Sequence, residues 1–253
     1  MQLSAAMTAR TLTALDVKMP KVLTDALTRT ERITTQARTL GVHRDTLVLA
    51  VIAALSAGKE PTVDPEVQRA IAAQALGDIG AAVQQEMEAE LRGFLSQHAD
   101  EITSCFVAPF SDAVTILEAA CERLGGLALD DSQSILALGG DVADVWHRAR
   151  TAFAQVDRLT GAWRQLGMAT SQPLNPNHPS AHLAPLTLAQ WRGHARDNVW
   201  QLIQAGITPE LAPTYTEYAR RVRAIAAELA SQQQAGLDHA LGKRNLTTLA
   251  ALG

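Results

Sequence analysis

Apolar residues in this chain recur mostly at steps of three and four, the spacing of one helix face. The longest such stretch is 65–124. Asp64-Pro65-Glu66 opens it with a capping side chain, a pre-set φ and an acid on the positive helix end. Val67, Ile71, Ala75, Ile79, Val83, Met87 and Leu91 follow at steps of four. Such a stripe drifts about 40° per step, because four residues overshoot a turn of 3.6. Gly77 and Gly80 lie inside it, each costing up to ~1 kcal/mol against Ala. Pro109 lacks an N–H and clashes with the carbonyl of Cys105, so a kink or break is expected there. Phe110, Ala113, Leu117, Ala120, Cys121 and Leu124 resume the stripe, and Gly125-Gly126 ends it. One continuous helix over this stretch would span roughly 90 Å. The expectation is a fold-back near Pro109 or an extended rod.

The most regular segment opens at Gly139-Gly140-Asp141. Val142, Val145, Ala149, Ala152, Val156, Leu159, Trp163 and Leu166 alternate steps of three and four without a miss, and Gly167 reads as the stop. Trp146 and Phe153 widen the stripe, and Asp144 with Arg148 are spaced for an ion pair of ~0.3 kcal/mol. This helix is expected to pack lengthwise on another, within the chain or across a dimer.

A second helix, 44–57, is apolar nearly all round through Leu47, Val48, Leu49, Val51, Ile52 and Leu55. It must be covered on all sides or serve as an interface. Before it, a helix starts near Met19 and carries Leu23, Ala26, Leu27, Thr30, Ile33, Ala37 and Leu40 on one face, with Gly41 at its end. Residues 1–17 read as a polar lead-in without a clear period. Residues 127–138 suggest a short helix capped by Asp130 or Asp131. Pro173, Pro176, Pro179 and Pro185 exclude regular structure from 168–185. Helices are expected over 187–205 and from Pro213 to about Gly236, the latter with Tyr218, Val222, Ile225 and Leu229 on its face. The tail 237–253 carries leucines suited to docking in a groove.

The expected fold is all-α: an elongated multi-helix bundle with long antiparallel helices and coiled-coil-like packing. Its divisions are an N-terminal helical hairpin (1–59), a long-helix bundle (60–167), a Pro-rich linker (168–186), and a C-terminal helical pair with tail (187–253). Composition agrees, since aromatic residues are 4% of the 253 and the hydrophobic fraction of 47% is ordinary for a folded chain.

The net charge of −4 is unevenly spread. Residues 1–59 carry eight Lys/Arg and four Asp/Glu; residues 60–124 carry three and twelve; residues 125–253 carry eleven and ten. An acidic middle argues against wrapping nucleic acid along the whole molecule. Cys105 and Cys121 read as small buried hydrophobes in a reducing compartment. The first twenty residues lack the apolar core of a secretory signal, and the run 47–55 is about half a membrane span. A soluble, cytoplasmic protein is expected.

Candidate chemistry is sparse. Ala37-Arg38-Thr39-Leu40-Gly41-Val42-His43-Arg44-Asp45-Thr46-Leu47 resembles the turn of a helix-turn-helix DNA-binding motif, which implies His43 and Arg44 as nucleic-acid contacts. A reading helix needs polar side chains to reach base edges, whereas Val48, Leu49, Ala50, Val51 and Ile52 follow here. Asp144-x-x-His147 has the spacing used by di-iron bundles but no second copy, and His178, His182 and His194 have no acidic or Cys partner at a metal-binding spacing. Asp130-Asp131 begins like an acidic metal-diphosphate motif without further acids. Arg220, Arg221 and Arg223 form a small basic patch. No nucleophile elbow, Walker loop or dinucleotide fingerprint is present, so neither enzyme activity nor a cofactor or metal is expected.

These features favour a non-catalytic structural, assembly or scaffolding protein working through self-association and protein contacts, a general character shared with bacteriophage assembly proteins. The interface candidates are Val142, Val145, Ala149, Ala152, Val156, Leu159, Trp163 and Leu166, with Leu47, Val51 and Ile52. The alternatives are a DNA-binding regulator using 37–47, and a helical ligand-binding protein or enzyme with a pocket lined by Trp146, Trp163, Trp191 and Trp200.

Overall fold

In a computed structural model the chain is all-helical, with no strand among the described residues, which are 4–39, 44–137 and 139–250. The helices are α1 (Ala5–Thr13), α2 (Lys21–Thr39), α3 (Arg44–Ser56), α4 (Pro65–Gln97), α5 (Ala99–Ser104), α6 (Val107–Leu124), α7 (Ser132–Ala137), α8 (Gly140–Ala169), α9 (Leu188–His194), α10 (Val199–Gln204) and α11 (Tyr215–Ala250). They form two compact units, one of Met1–His98 with Met168–Thr170, the other of Ala99–Gly167 with Ser171–Gly253.

The first unit is built on α4, against which α1, α2 and α3 all pack. Asp64 caps α4 through the N–H groups of Glu66 and Val67, as its Asp-Pro-Glu start predicts. Val67, Ala70, Met87, Leu91 and Leu95 are its buried positions, matched by Leu23, Leu27 and Ala37 from α2. The segment 1–17 is not the patternless lead-in expected. Ser4 caps α1, and Ala5, Thr8, Ala9 and Leu12 are buried at helical spacing. Two of those four positions are alanines, whose small side chains hide the stripe from a hydropathy reading. The carboxylate of Glu88 on α4 accepts hydrogen bonds from the Ala5 and Ala6 N–H groups, placing an anion on the positive end of α1. Arg29 reaches Glu90 at 2.7 Å, and Lys59 reaches Asp64 at 3.4 Å. The positive first segment thus meets the acidic fourth helix inside one unit. The exposed Arg29–Glu90 pair contributes at most ~1 kcal/mol.

In the second unit the stripe of α8 forms the core. Trp163 is 1% exposed and packs against Tyr215 and Tyr218, with ring centroids 4.5 and 5.4 Å away. Its indole N–H donates to the carbonyl of Ala212 at 3.1 Å, and the Tyr215 hydroxyl donates to the Trp163 carbonyl at 2.6 Å. The Pro-rich stretch is irregular, as expected, but Ser180, Ala181, His182, Leu183, Ala184 and Leu186 are buried. Its backbone is tied in by the N–H groups of Glu210 and Ala212, which donate to Leu183 and His182 at 2.6 and 2.8 Å.

Four boundaries differ from expectation. The stretch 65–124 forms three helices, and its breaks lie at His98 and at Cys105-Phe106, not at Pro109. Pro109 sits instead in the first turn of α6, where its missing N–H has no intrahelical partner. The expected 187–205 helix is two, because Asn198 builds a capping box with Gln201 and starts α10. The last helix runs through Gly236 to Ala250, so 237–250 is helical and not a separate tail. A single glycine costs only ~1 kcal/mol against Ala, which a long run of helix formers overcomes. Gly167 does not stop α8, which continues to Ala169. The Gly125 end of α6 is as expected, in the left-handed region at φ 58°.

Gly167 is required by close packing. A Cβ there would lie 2.9 Å from Tyr215 Cε1 and 3.0 Å from Leu174 Cδ1, while a Cβ on Gly161 of the same helix would meet nothing within 4 Å. Gly161→Ala is expected to stabilise the protein by up to ~1 kcal/mol through helix propensity. Gly167→Ala is expected to destabilise it by about 1–3 kcal/mol through overpacking. Urea denaturation of both variants checks the sign difference, and two stabilising outcomes would contradict the Tyr215 contact.

Candidate functional site

Two features stand out for possible contact with other molecules, one in each unit. In the first, α3 packs on α4 with Leu47 and Val51 half-buried and Ala54 buried. Val48, Ile52 and Leu55, at steps of four and three, form the opposite side, and with Leu49 each is more than half exposed. The rule of helix periodicity fails here because α3 is apolar on both sides and one packing partner covers one side. Val63 before α4, and Ile71, Leu76 and Ile79 on its first half, are also exposed. Beyond Asp45, α3 carries no charged or amide side chain. His43 lies outside the described residues, as does the side chain of Arg44 at the start of α3.

The stripe of α8 is placed differently. Ala149, Ala152, Val156, Leu159, Trp163 and Leu166 are buried within this chain, and Val142 and Val145 are half-buried. Six of these eight positions therefore supply core, and the more exposed stripe is the one on α3.

The tryptophans of the second unit act chiefly as pins. The indole N–H of Trp146 donates to Leu129 O at 2.8 Å and that of Trp200 to Leu127 O at 3.1 Å, which fastens the loop before α7. Trp163 is fastened to Ala212, and Trp191 is half-buried against His178 at 4.9 Å. The four are thus held at different places in the unit. A cavity of about 160 Å³ lies nearby, lined by residues of α8, of the Pro-rich stretch and of 196–199, and no tryptophan lines it. His182 on its wall is 4% exposed and stacks on Trp163 at 5.2 Å. Burial pulls its pKa down to about 3, with Arg164 and Arg221 adding repulsion and a hydrogen bond to the Pro179 backbone opposing it. Its Nε2 is buried without a hydrogen-bond partner, as are Nδ1 of His178 and Nε1 of Trp191.

The remaining sequence candidates have structural surroundings. Arg221 is buried and reaches Glu210 at 2.8 Å and Glu217 at 3.1 Å; Arg220 also reaches Glu217, at 2.7 Å. Those hydrogen bonds, from Arg220 first, hold the Glu217 carboxyl down to about 2. The expected basic patch is thus largely neutralised by its own helix and by Glu210. Asp131 caps α7 through the Ser134 N–H at 3.1 Å. Asp144 and His147 are exposed, and no group of three metal-ligating side chains occurs among the described residues. His194 pairs with Asp197 at 2.8 Å. Cys105 and Cys121 are half-buried free thiols, and burial pushes both upward in pKa. The stretch Ala99–Leu124 is long and apolar enough to cross a membrane by length and composition. Its Ile102, Phe106, Phe110, Leu117 and Leu124 are nevertheless buried in the protein.

Comparison with models of protein families, with curated proteins and with solved structures gives no match.

The buried neutral His182 makes stability depend on pH. The unfolded chain binds a proton near 6.5, while the folded protein binds it only near 3. Between these values the unfolded state holds more protons, so stability is complete above about pH 6.5 and declines as the pH falls. Urea unfolding is expected to show a loss of about 2 kcal/mol between roughly pH 6.5 and pH 5 from this group. His182→Gln should flatten most of that slope, with a smaller part remaining from His178, which burial also pulls down. An unchanged slope would show that His182 titrates normally.

Proposed function

We propose that this protein is a non-catalytic helical assembly or scaffolding protein that acts by self-association through the outer side of α3. The observation that carries this reading is the exposed stripe of Val48, Ile52 and Leu55 with neighbouring Leu49. Fully burying such side chains contributes about 1.5–3 kcal/mol each, so four of them form a contact of useful strength. Contiguous apolar surface on a folded domain marks an interaction site more often than a neutral one.

A second copy of the chain is the favoured partner. A two-fold contact places the same patch on both sides, and α3 beyond Asp45 has no charge to repel its copy. The same lack of polar side chains disfavours α3 as a DNA-reading helix, since base edges are read by hydrogen bonds. An elongated, coiled-coil-like particle built from helix pairs is the form this assembly takes in our reading.

Size-exclusion chromatography with light scattering tests it. The expected mass is a multiple of 27.0 kDa, with early elution for that mass. Leu49→Glu with Ile52→Glu is expected to give a monomer whose thermal unfolding matches the parent, because both positions are exposed. A wild-type chain that stays monomeric at high micromolar concentration would refute self-association.

A further inference from the structure

The cavity of about 160 Å³ in the second unit has lining chemistry that self-association does not use. Its wall includes Phe153, Asp157, Arg164, His182, Arg196 and Asp197. Asp197 is already engaged by His194. Arg164, Arg196 and the carboxylate of Asp157 make no ion pair or side-chain hydrogen bond among the described residues. Two cations and one carboxylate on one concave wall are therefore without protein partners.

His182 adds a directional constraint. The backbone of Pro179 favours a proton on its ring, and proline offers a carbonyl but no N–H. That carbonyl favours the proton on Nδ1, since Nε2 has no partner. A neutral imidazole protonated on Nδ1 presents Nε2 as a lone-pair acceptor. Leaving that acceptor buried and unpaired costs about 1–3 kcal/mol, which a hydrogen-bond donor would recover.

We propose that this cavity binds a small organic carboxylate bearing an adjacent hydroxyl or amino group. The carboxylate sits on Arg164 and Arg196, and the O–H or N–H donor is taken up by Asp157 and His182 Nε2. Guanidinium groups suit a carboxylate because their planar donors can meet both its oxygens. The cavity is smaller than the ~300–1,000 Å³ typical of sites for drug-sized ligands, so the ligand is of hydroxy-acid or amino-acid size. Phe153 gives it an apolar wall.

Isothermal titration of the full chain with serine, lactate, propionate and phosphate tests the assignment. Serine or lactate is expected to bind one per chain, about tenfold or more tighter than propionate or phosphate. Which of the two binds decides between an amino acid and a hydroxy acid. Trp163 fluorescence should respond to the binding ligand, since its ring stacks on His182. Arg164→Ala and Arg196→Ala are each expected to weaken binding about tenfold or more. Both arginines are exposed, so the variants should melt with the parent. The proposal is overturned if neither serine nor lactate binds at millimolar concentration. It is equally overturned if all four compounds bind alike, or if both arginine variants bind as the parent does.

Discussion

A buried indole N–H is costly to leave without an acceptor, and in this protein the second unit is organised around the one that Trp163 places on Ala212. Its N–H ends on Ala212, its carbonyl receives the Tyr215 hydroxyl, and its ring stacks on His182. Each contact belongs to a different stretch of chain: the approach to α11, α11 itself, and the irregular Pro-rich segment. Removing a buried Trp typically costs 3–5 kcal/mol, and here it would also leave the Ala212 carbonyl without the indole donor. Gly167 follows from the same demand. Tyr215 can reach the Trp163 carbonyl only if the helix surface one turn on has no side chain in the way. His182 is held neutral by the burial that this stacking imposes.

The first unit depends on a different constraint. Its long helix α4 is acidic, and two of the three helices that cover it, α1 and α2, are net basic. The carboxylate of Glu88 meets the N-terminus of α1, and Glu90 meets Arg29 of α2. Exposed ion pairs are too weak to hold the unit together, and Leu23, Leu27, Leu91 and Leu95 do that. The charges instead favour this arrangement of helices over alternatives that would bring like charges together. Part of the charge asymmetry visible along the chain is thereby met within this unit.

The all-helical class was legible because steps of three and four persist through most of the chain, and the caps at Asp64 and Gly125 were legible because each has a defined backbone chemistry. Three kinds of feature were not. The stripe of α1 is made largely of alanine and threonine, which carry little hydropathy contrast. The boundary at 195–198 depends on Asn198 competing with helix continuation, and either outcome fits the spacing. The cavity joins α8 to residues 179–183 and 196–199, and no local pattern encodes a meeting of segments so far apart. Its one sequence trace was the presence of His182 in a Pro-rich stretch, where a solvated histidine is the ordinary expectation.

The contrast between α3 and α8 shows what periodicity can and cannot decide. Both helices carry apolar stripes, and the one on α8 is the more regular. Regularity measures how well a stripe fits a neighbouring helix, and α8 finds its cover inside the chain. The informative signal on α3 is excess: apolar side chains on both sides of a helix that has one packed side. A soluble fold tolerates such excess poorly unless something covers it. The surface that remains after the chain has covered itself, and not the tidiest heptad, is therefore where an outside partner should be sought.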